Sequence, residues 1–171
     1  MSEEGVFAPG DALRKAEILY VDSDLHRRDA MRRVLLGLGA ARVQIAESGS
    51  EALKVVAGTP CNLVIAEHRM TPMDGIRLVR EIRSVTNYPR ALVPALIIGD
   101  PVKTEVVAAA FQAGANLFLV RPLSAATLYE RIGWAIADSR PFAVKDGHYV
   151  IRPAKPKVQA RSTVAATKST R

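Results

Sequence analysis

Short apolar runs alternate along the chain with longer segments in which apolar side chains recur every three to four residues. The short runs predict β-strands, and the helical period of the longer segments predicts amphipathic α-helices between them. The predicted strands are 18–21, 42–46, 63–66, 93–98 and 116–120. The predicted helices are 25–38, 48–57, 75–85, 102–112 and 124–138, with Ser48 and Ser124 as N-caps.

The alternation of five strands with five helices predicts an α/β domain with a parallel sheet and right-handed crossovers. The runs at 63–66 and 95–98 are apolar throughout, as expected of strands that are covered on both faces. Functional groups in such sheets gather beyond the carboxyl ends of the strands. We therefore expect four residues that are distant in sequence to lie close together: Asp22, Glu67, Gly99 and Arg121.

The formal net charge of +7 is unevenly distributed. From Arg140 to Arg171 there are eight lysines and arginines and one acidic residue, Asp146, whereas the rest of the chain holds 16 basic and 16 acidic residues. This pattern predicts an N-terminal extension at 1–15, a neutral domain at 16–139 and a basic tail at 140–171.

The tail contains three prolines, and its apolar residues lack a period, so we expect most of it to be disordered. Its segment 142–151 contains Phe142, Tyr149, Val150 and Ile151 and is the part that is able to dock on the domain. Elsewhere, no apolar run reaches the length of a membrane span, and the N-terminus lacks the features of a secretory signal. Cys61 is the single cysteine, which excludes an internal disulfide and fits a cytoplasmic location.

Three motifs make the sequence similar to a known family. They are the run ILYVD at 18–22, the pair of Glu67 and the MDG turn at 73–75, and the basic-proline pair at 121–122. In this order and spacing they resemble the receiver domain of two-component response regulators, over roughly residues 16–139. The resemblance implies a flavodoxin-like (βα)5 fold, a three-layer sandwich around a five-stranded parallel sheet. The segment SRPFAVKDGHYVI at 139–151 also resembles the end of short, stand-alone receivers.

A receiver of this kind accepts a phosphoryl group from a kinase histidine on its own aspartate, with Mg²⁺ offsetting the phosphoryl charge. The family uses two acids after the first strand, Asp after the third, Thr or Ser after the fourth, and Lys before the proline after the fifth. Of these residues the chain keeps only Asp22. The other four family positions hold Ser23, Glu67 (the phosphoacceptor position), Gly99 and Arg121.

Each replacement weakens the family chemistry. Ser23 is a poor ligand for Mg²⁺, which prefers carboxylates. Glu67 carries its carboxylate outward by about 1–1.5 Å, and in-line attack is sensitive to a displacement of this size. Gly99 offers no hydroxyl to a phosphoryl oxygen. The planar fork of Arg121 favours bidentate pairing with a carboxylate, so we expect a standing ion pair with Glu67.

These changes predict a degenerate, phosphorylation-independent receiver that is neither an enzyme nor dependent on a cofactor. If Mg²⁺ is still bound, its ligands are Asp22, Asp24 and Glu67, with Asp24 in place of the missing second acid. The predicted interaction surface comprises Phe118, at the family's aromatic switch position, Arg121 and Trp134. Its expected partner is a histidine kinase, a downstream effector or a second copy of the chain, and Trp134 is either an anchor for that partner or covered by the tail.

Three alternatives remain at this stage. A conventional receiver would use Mg²⁺ and phosphorylate Glu67. A nucleic-acid-associated protein would act through the basic tail, but the tail has dispersed charges and no recognition helix, so neither nucleic acid nor membrane is an expected partner. A flavin-binding protein of similar fold would need a phosphate loop after the first strand, and the sequence has none there.

Overall fold

The computed structural model describes residues 9–153, so the part of the basic tail at 154–171 lies outside the described residues. The five main strands are β1 Glu17–Val21, β2 Arg42–Ala46, β3 Leu63–Glu67, β4 Ala95–Gly99 and β5 Leu117–Val120. The helices are α1 Pro9–Arg14, α2 Leu25–Gly37, α3 Gly49–Gly58, α4 Gly75–Ile82, α5 Thr104–Gln112 and α6 Ala125–Ile136. A hairpin of β6 Phe142–Lys145 and β7 His148–Ile151 follows.

The main strands form one parallel sheet in the order β2-β1-β3-β4-β5. Residues of α1, α2 and α6 form the core on one face of the sheet, and residues of α3, α4 and α5 form the core on the other face. Every residue of β3 and β4 is buried, as the continuous apolar runs predicted. The predicted three-layer, flavodoxin-like fold is therefore confirmed. No helix among residues 9–153 combines the length and apolar character needed to cross a bilayer.

Most helices begin where a side chain caps them. Asp24, Ser48, Asp74 and Ser124 each accept a hydrogen bond from the backbone N–H three residues later. The predicted caps Ser48 and Ser124 are thus confirmed. The predicted helix at 75–85 is too long, because α4 ends at Ile82 and two 3₁₀ turns follow it before β4.

Both ends of the predicted domain extend further than the sequence pattern indicated. The predicted N-terminal extension at 1–15 contributes α1, which packs on α6 through the buried side chain of Leu13. The predicted boundary at 139 also falls too early, because the hairpin continues the ordered structure beyond it. Residues 142–151 are thus ordered, whereas most of the segment expected to be disordered lies at 154–171, outside the described residues.

The hairpin turn is made by Asp146 and Gly147, which have φ values of 50° and 75°. Positive φ at both central residues is typical of a type I′ turn, and Asp-Gly is a preferred sequence for it. The hairpin docks on the domain as expected for 142–151. The Tyr149 N–H donates to the carbonyl of Arg83 at 2.8 Å, and the Val85 N–H donates to the carbonyl of Gly147 at 3.0 Å.

The side chain of Arg83 is the centre of this attachment, and it is completely buried. Its Nε donates to the Gly114 carbonyl at 2.9 Å, and its Nη1 donates to the carbonyls of Ala91 and Val93, each at 2.6 Å. The guanidinium also stacks on the Phe142 ring, with 5.1 Å between Cζ and the ring centroid. Burial lowers the pKa of Arg83 to about 10. One side chain therefore ties the hairpin to the segments that follow α4 and α5.

A second polar network joins the start of β5 to the end of α6. Asn116 donates through Nδ2 to Asp138 Oδ2 at 2.9 Å, and Arg140 donates to both Asp138 oxygens at 2.7 and 2.9 Å. Burial alone would raise the pKa of Asp138, but these hydrogen bonds outweigh it and lower the pKa. The Arg140 guanidinium lies 5.0 Å from the centroid of the Trp134 ring, which remains 44% exposed. A residue of the tail therefore covers one face of this tryptophan.

Candidate functional site

The carboxyl ends of four strands carry the residues that the sequence predicted to lie close together, and the site that these residues form is here called the pocket. Asp22 follows β1, Glu67 ends β3, Gly99 ends β4 and Arg121 follows β5. The strand register places these ends at one level of the sheet, with Glu67 beside Ile98 and Gly99 beside Val120. Asp22 and Glu67 are both buried, with exposed fractions of 0% and 3%. The pocket therefore holds two buried carboxylates whose charge must be compensated.

Arg121 compensates Glu67, and the predicted ion pair is present. The Nη1 of Arg121 donates to Glu67 Oε1 at 3.2 Å, and Nη2 donates to Oε2. Nη1 also lies 3.4 Å from Oδ1 of the exposed Asp100. The hydrogen bond to Glu67 is the main cause that raises the pKa of Arg121. The pairing is bidentate, so both carboxylate oxygens at the phosphoacceptor position are occupied.

Arg27 compensates Asp22 in the same bidentate way. Its Nε donates to Asp22 Oδ2 at 2.7 Å and its Nη2 donates to Oδ1 at 2.9 Å. The buried Tyr20 hydroxyl donates to Oδ2 at 2.9 Å, and the Asp24 N–H donates to Oδ1 at 2.9 Å. Burial alone would raise the pKa of Asp22, but the hydrogen bonds from Arg27, Asp24 and Tyr20 lower it. Burial of Tyr20 and its neighbour Asp22 raise the pKa of that phenol.

Sequence reasoning missed Arg27, although its position shortly after Asp22 indicates that its side chain can reach that carboxylate. Arg27 lies in the first turn of α2, directly beyond the loop that carries Asp22, so its side chain can reach back over the strand end. In the sequence it stands beside Arg28, and nothing in the pattern separates the two. In the fold, Arg28 is buried and donates to the backbone carbonyl of Asp22 at 2.6 Å, whereas Arg27 binds the carboxylate.

The residues of the pocket do not fit a magnesium ion. Asp24, the residue predicted to replace the missing acid, is the N-cap of α2, and its Oδ1 accepts from the Arg27 N–H at 2.8 Å. Ser23 is exposed and neutral, and the oxygens of Asp22 and Glu67 are engaged by arginines. Within the described part of the chain, no three acidic, histidine or cysteine side chains are grouped to hold a metal. Mg²⁺ would therefore have to displace a guanidinium.

At the position where the family has Thr or Ser, this chain has Gly99, and neighbouring side chains fill the space beside it. A Cβ atom on Gly99 would lie 2.9 Å from His68 Cβ and 3.3 Å from Phe118 Cζ. The rings of His68 and Phe118 are packed edge to face, with 5.6 Å between their centroids. His68 is thus a packing residue. Its contact with Phe118 occupies the space in which a side chain at position 99 would stand.

The MDG turn keeps its glycine for a steric reason. A Cβ atom on Gly75 would lie 2.5 Å from the carbonyl oxygen of Glu67, a distance that real Cβ atoms essentially never show. The Gly75 N–H donates to the His68 carbonyl at 2.9 Å, which closes the loop after β3. The loop therefore needs Gly75 for its shape, whether or not the pocket carries out the family chemistry.

The residues of the predicted interaction surface lie on different faces of the sheet. Phe118 packs with the cluster of residues from α4, α5 and β4, whereas α6, which carries Trp134, covers the opposite face. Arg121 lies between them at the end of β5, and its side chain is 28% exposed. The interaction role of these residues stays a prediction.

Comparisons with known proteins agree with this architecture. The family model of the response regulator receiver domain matches residues 18–133. The chemotaxis protein CheY-3 of Vibrio cholerae is 32% identical over 119 residues, which cover 70% of this chain and 90% of CheY-3. The transcriptional regulatory protein ZraR of Salmonella typhimurium is 33% identical over 126 residues, 74% of this chain. Those residues span only 27% of the length of ZraR.

Solved structures give the same result. Chemotaxis protein CheY4 of Vibrio cholerae superposes with a TM-score of 0.65 and 25% identity, covering 71% of this chain and 98% of CheY4. A receiver domain of a sensor histidine kinase from Pseudomonas aeruginosa superposes with a TM-score of 0.63 and 25% identity, covering 72% of this chain and 99% of that domain. The structure of that second domain contains a magnesium ion coordinated in the active-site cleft.

Proposed function

The chain belongs to the response regulator receiver family of two-component signalling, and we propose that it acts there without being phosphorylated. In this proposal it is a cytoplasmic interaction module that catalyses no reaction. Its pocket is fixed by internal ion pairs, so the surface around the pocket has one state and is always available to a partner.

One observation carries this proposal: each buried carboxylate of the pocket is held by an arginine in a bidentate pair. A phosphoacceptor must present a free oxygen to the incoming phosphorus atom, and Glu67 has both oxygens engaged by Arg121. The family's metal offsets negative charge on the phosphoryl group. In this chain, Arg27 and Arg121 already supply positive charge, and the carboxylates of Asp22 and Glu67 already neutralise it.

Receiver domains act with histidine kinases and effectors, and we propose a signalling protein of this kind as the partner. The exposed side chains near the pocket include Val120, which is 41% exposed, and Arg121. Trp134, on α6, is the large exposed aromatic residue of the neighbouring face. Aromatic residues and arginine are common anchors of protein interfaces, so these side chains are the first to replace in a binding assay.

Phosphorylation is the direct test. After incubation with Mg²⁺ and acetyl phosphate, or with a phosphorylated histidine kinase, we expect intact-mass spectrometry to show no gain of a phosphoryl group. A receiver that carries all five family residues serves as the positive control. A stoichiometric gain in this chain that disappears in Glu67→Gln would overturn the proposal and favour the conventional receiver.

Removal of Arg27 tests the competition between guanidinium and metal. Without Arg27, both oxygens of the buried Asp22 lose their charged partner, and Mg²⁺ is the cation that can replace it. We expect 10 mM Mg²⁺, at roughly a tenfold excess over a weak Kd, to raise the free energy of unfolding of Arg27→Ala by about 1.4 kcal/mol. The free energy of unfolding of the wild type should not change. The measurement is thermal unfolding with and without Mg²⁺.

Arg33→Ala is the matched control, because Arg33 is an exposed arginine of the same helix. It should behave as the wild type at both Mg²⁺ concentrations. If Mg²⁺ stabilises the wild type as much as Arg27→Ala, the metal site is intact and the proposed occupation by Arg27 is wrong.

A further inference from the structure

The outer edge of the hairpin strand β6 is available for pairing. The hairpin is a separate two-stranded sheet, and its backbone hydrogen bonds to the domain come from Tyr149 of β7 and from Gly147 of the turn. Among residues 9–153, no backbone group outside the hairpin is hydrogen-bonded to β6. Val144 on this strand is 61% exposed.

The register shows which backbone groups of β6 point outward. Lys145 pairs with His148 across the two-residue turn, and the Arg152 N–H donates to the Pro141 carbonyl at 2.8 Å. Because hydrogen-bonded and non-bonded pairs alternate in an antiparallel ladder, the groups of 141, 143 and 145 point toward β7. The N–H and C=O groups of Phe142 and Val144 therefore point away from it. The bond from the Tyr149 N–H to the domain agrees, since Tyr149 is the partner of Val144.

We propose that β6 pairs with β6 of a second copy of this chain, antiparallel and centred on Ala143. In this register Phe142 of one copy faces Val144 of the other, so the outward groups of both residues find partners. Each of the two equivalent pairs forms two hydrogen bonds, and the symmetry is that of a twofold dimer. The product is a four-stranded antiparallel sheet, β7-β6-β6-β7, that links two domains.

The side chains are complementary in the same register. Phe142 and Val144 form an apolar cross-strand pair on one face, and the small side chains of the two Ala143 residues meet on the other face. Lys145 faces Pro141, and no two lysines are opposed. A register shifted by one residue would place each outward-pointing residue opposite an inward-pointing one, so none of these bonds would form.

A second copy of β6 fits this edge better than an arbitrary strand does. Pro141 and Lys145 flank the three central residues, and proline and lysine at an edge discourage unspecific strand addition. Only a short strand that matches residues 142–144 can pair here, and the chain itself supplies one. The paired surface is small, so the dimer belongs to the weak, transient class of interfaces. This inference does not depend on the proposed absence of phosphorylation.

Disulfide trapping tests the register directly. In the centred register the two Ala143 residues form a non-hydrogen-bonded pair with Cα atoms about 4.5 Å apart, within the range of a disulfide. In a Cys61→Ala background, Ala143→Cys should cross-link under mild oxidation. Lys145→Cys is the matched control, because its two copies would be about 14 Å apart along the strands. We expect at least tenfold more cross-linked dimer for Ala143→Cys than for Lys145→Cys.

Val144→Pro tests the hydrogen bonds. The Val144 N–H points outward, so proline removes a bond between copies and leaves the ladder to β7 intact. Added to Ala143→Cys, it should abolish cross-linking while thermal unfolding stays unchanged. Equal cross-linking of the two cysteine variants would overturn the proposal. So would sedimentation of the full wild-type chain as a monomer at millimolar concentration. If Val144→Pro unfolds the protein, the comparison of the two cysteine variants and the sedimentation result still test the proposed dimer.

Discussion

Arg83→Met is expected to lower the free energy of unfolding by about 4 kcal/mol, because buried acceptors lose their only charged donor. The carbonyls of Gly114, Ala91 and Val93 each accept from the guanidinium, and Nη2 reaches Asn116 Oδ1 at 3.2 Å. Methionine fills much of the volume and removes the cost of burying a charge, which keeps the loss below the sum of the separate bonds. Chemical denaturation followed by circular dichroism measures the change.

Arg80→Met is the matched control, since Arg80 is an exposed arginine of α4, the helix that ends directly before Arg83, and we expect a change within about 0.5 kcal/mol. Arg83→Lys should resemble Arg83→Met more than the wild type, because one ammonium group cannot reach carbonyls on three sides. A loss below about 1 kcal/mol for Arg83→Met would show that these hydrogen bonds contribute nothing net to stability.

Arg121→Met is expected to destabilise the protein by about 3 kcal/mol, because it leaves the carboxylate of Glu67 buried without a partner. Glu67 is 3% exposed, so water cannot replace the guanidinium without opening the pocket. In the double variant Glu67→Gln/Arg121→Met the unpaired charge is absent. The double variant should therefore be more stable than the sum of the single losses predicts, by about 1–2 kcal/mol.

Two further variants test whether the geometry or only the charge matters. Arg121→Lys restores the family residue and keeps the charge, but a lysine forms one contact where the fork forms two, so we expect an intermediate loss of about 1 kcal/mol. Arg69→Met removes an exposed arginine next to the same loop and should leave stability unchanged. Additive losses in the double variant would mean that Glu67 and Arg121 do not stabilise each other, and the argument for a fixed pocket would lose its basis.

We propose that these ion pairs make the site a fixed pocket and not a mimic of the phosphorylated state. A phosphorylated aspartate offers its oxygens to a hydroxyl and a lysine, whereas both oxygens of Glu67 accept hydrogen bonds from the same residue, Arg121. The hydroxyl position is Gly99, and the adjoining space is filled by His68 and Phe118. The parts that would transmit a phosphorylation signal are therefore in direct contact already, which favours a receiver with one resting state.

The sequence by itself determined the class of fold and the location of the pocket. The alternation of apolar strands with amphipathic helices permits few topologies, and a parallel sheet gathers the residues at its strand ends whatever their distance in sequence. Side-chain chemistry then predicted one specific contact. A guanidinium fork and a carboxylate at neighbouring strand ends form a bidentate pair, as Arg121 and Glu67 do.

Only the tertiary structure selected among arginines that are equivalent in the sequence. Arg27 and Arg28 are neighbours with the same chemistry, yet one binds the Asp22 carboxylate and the other a backbone carbonyl, because helix geometry points them in different directions. Arg83 follows α4, and its partners come from three segments that are distant in sequence: the turns before β4, the residues after α5 and the hairpin. The periodicity of apolar residues shows which face of each element is buried. The partner of a buried charge depends instead on the distances between elements, and only the folded structure sets those distances.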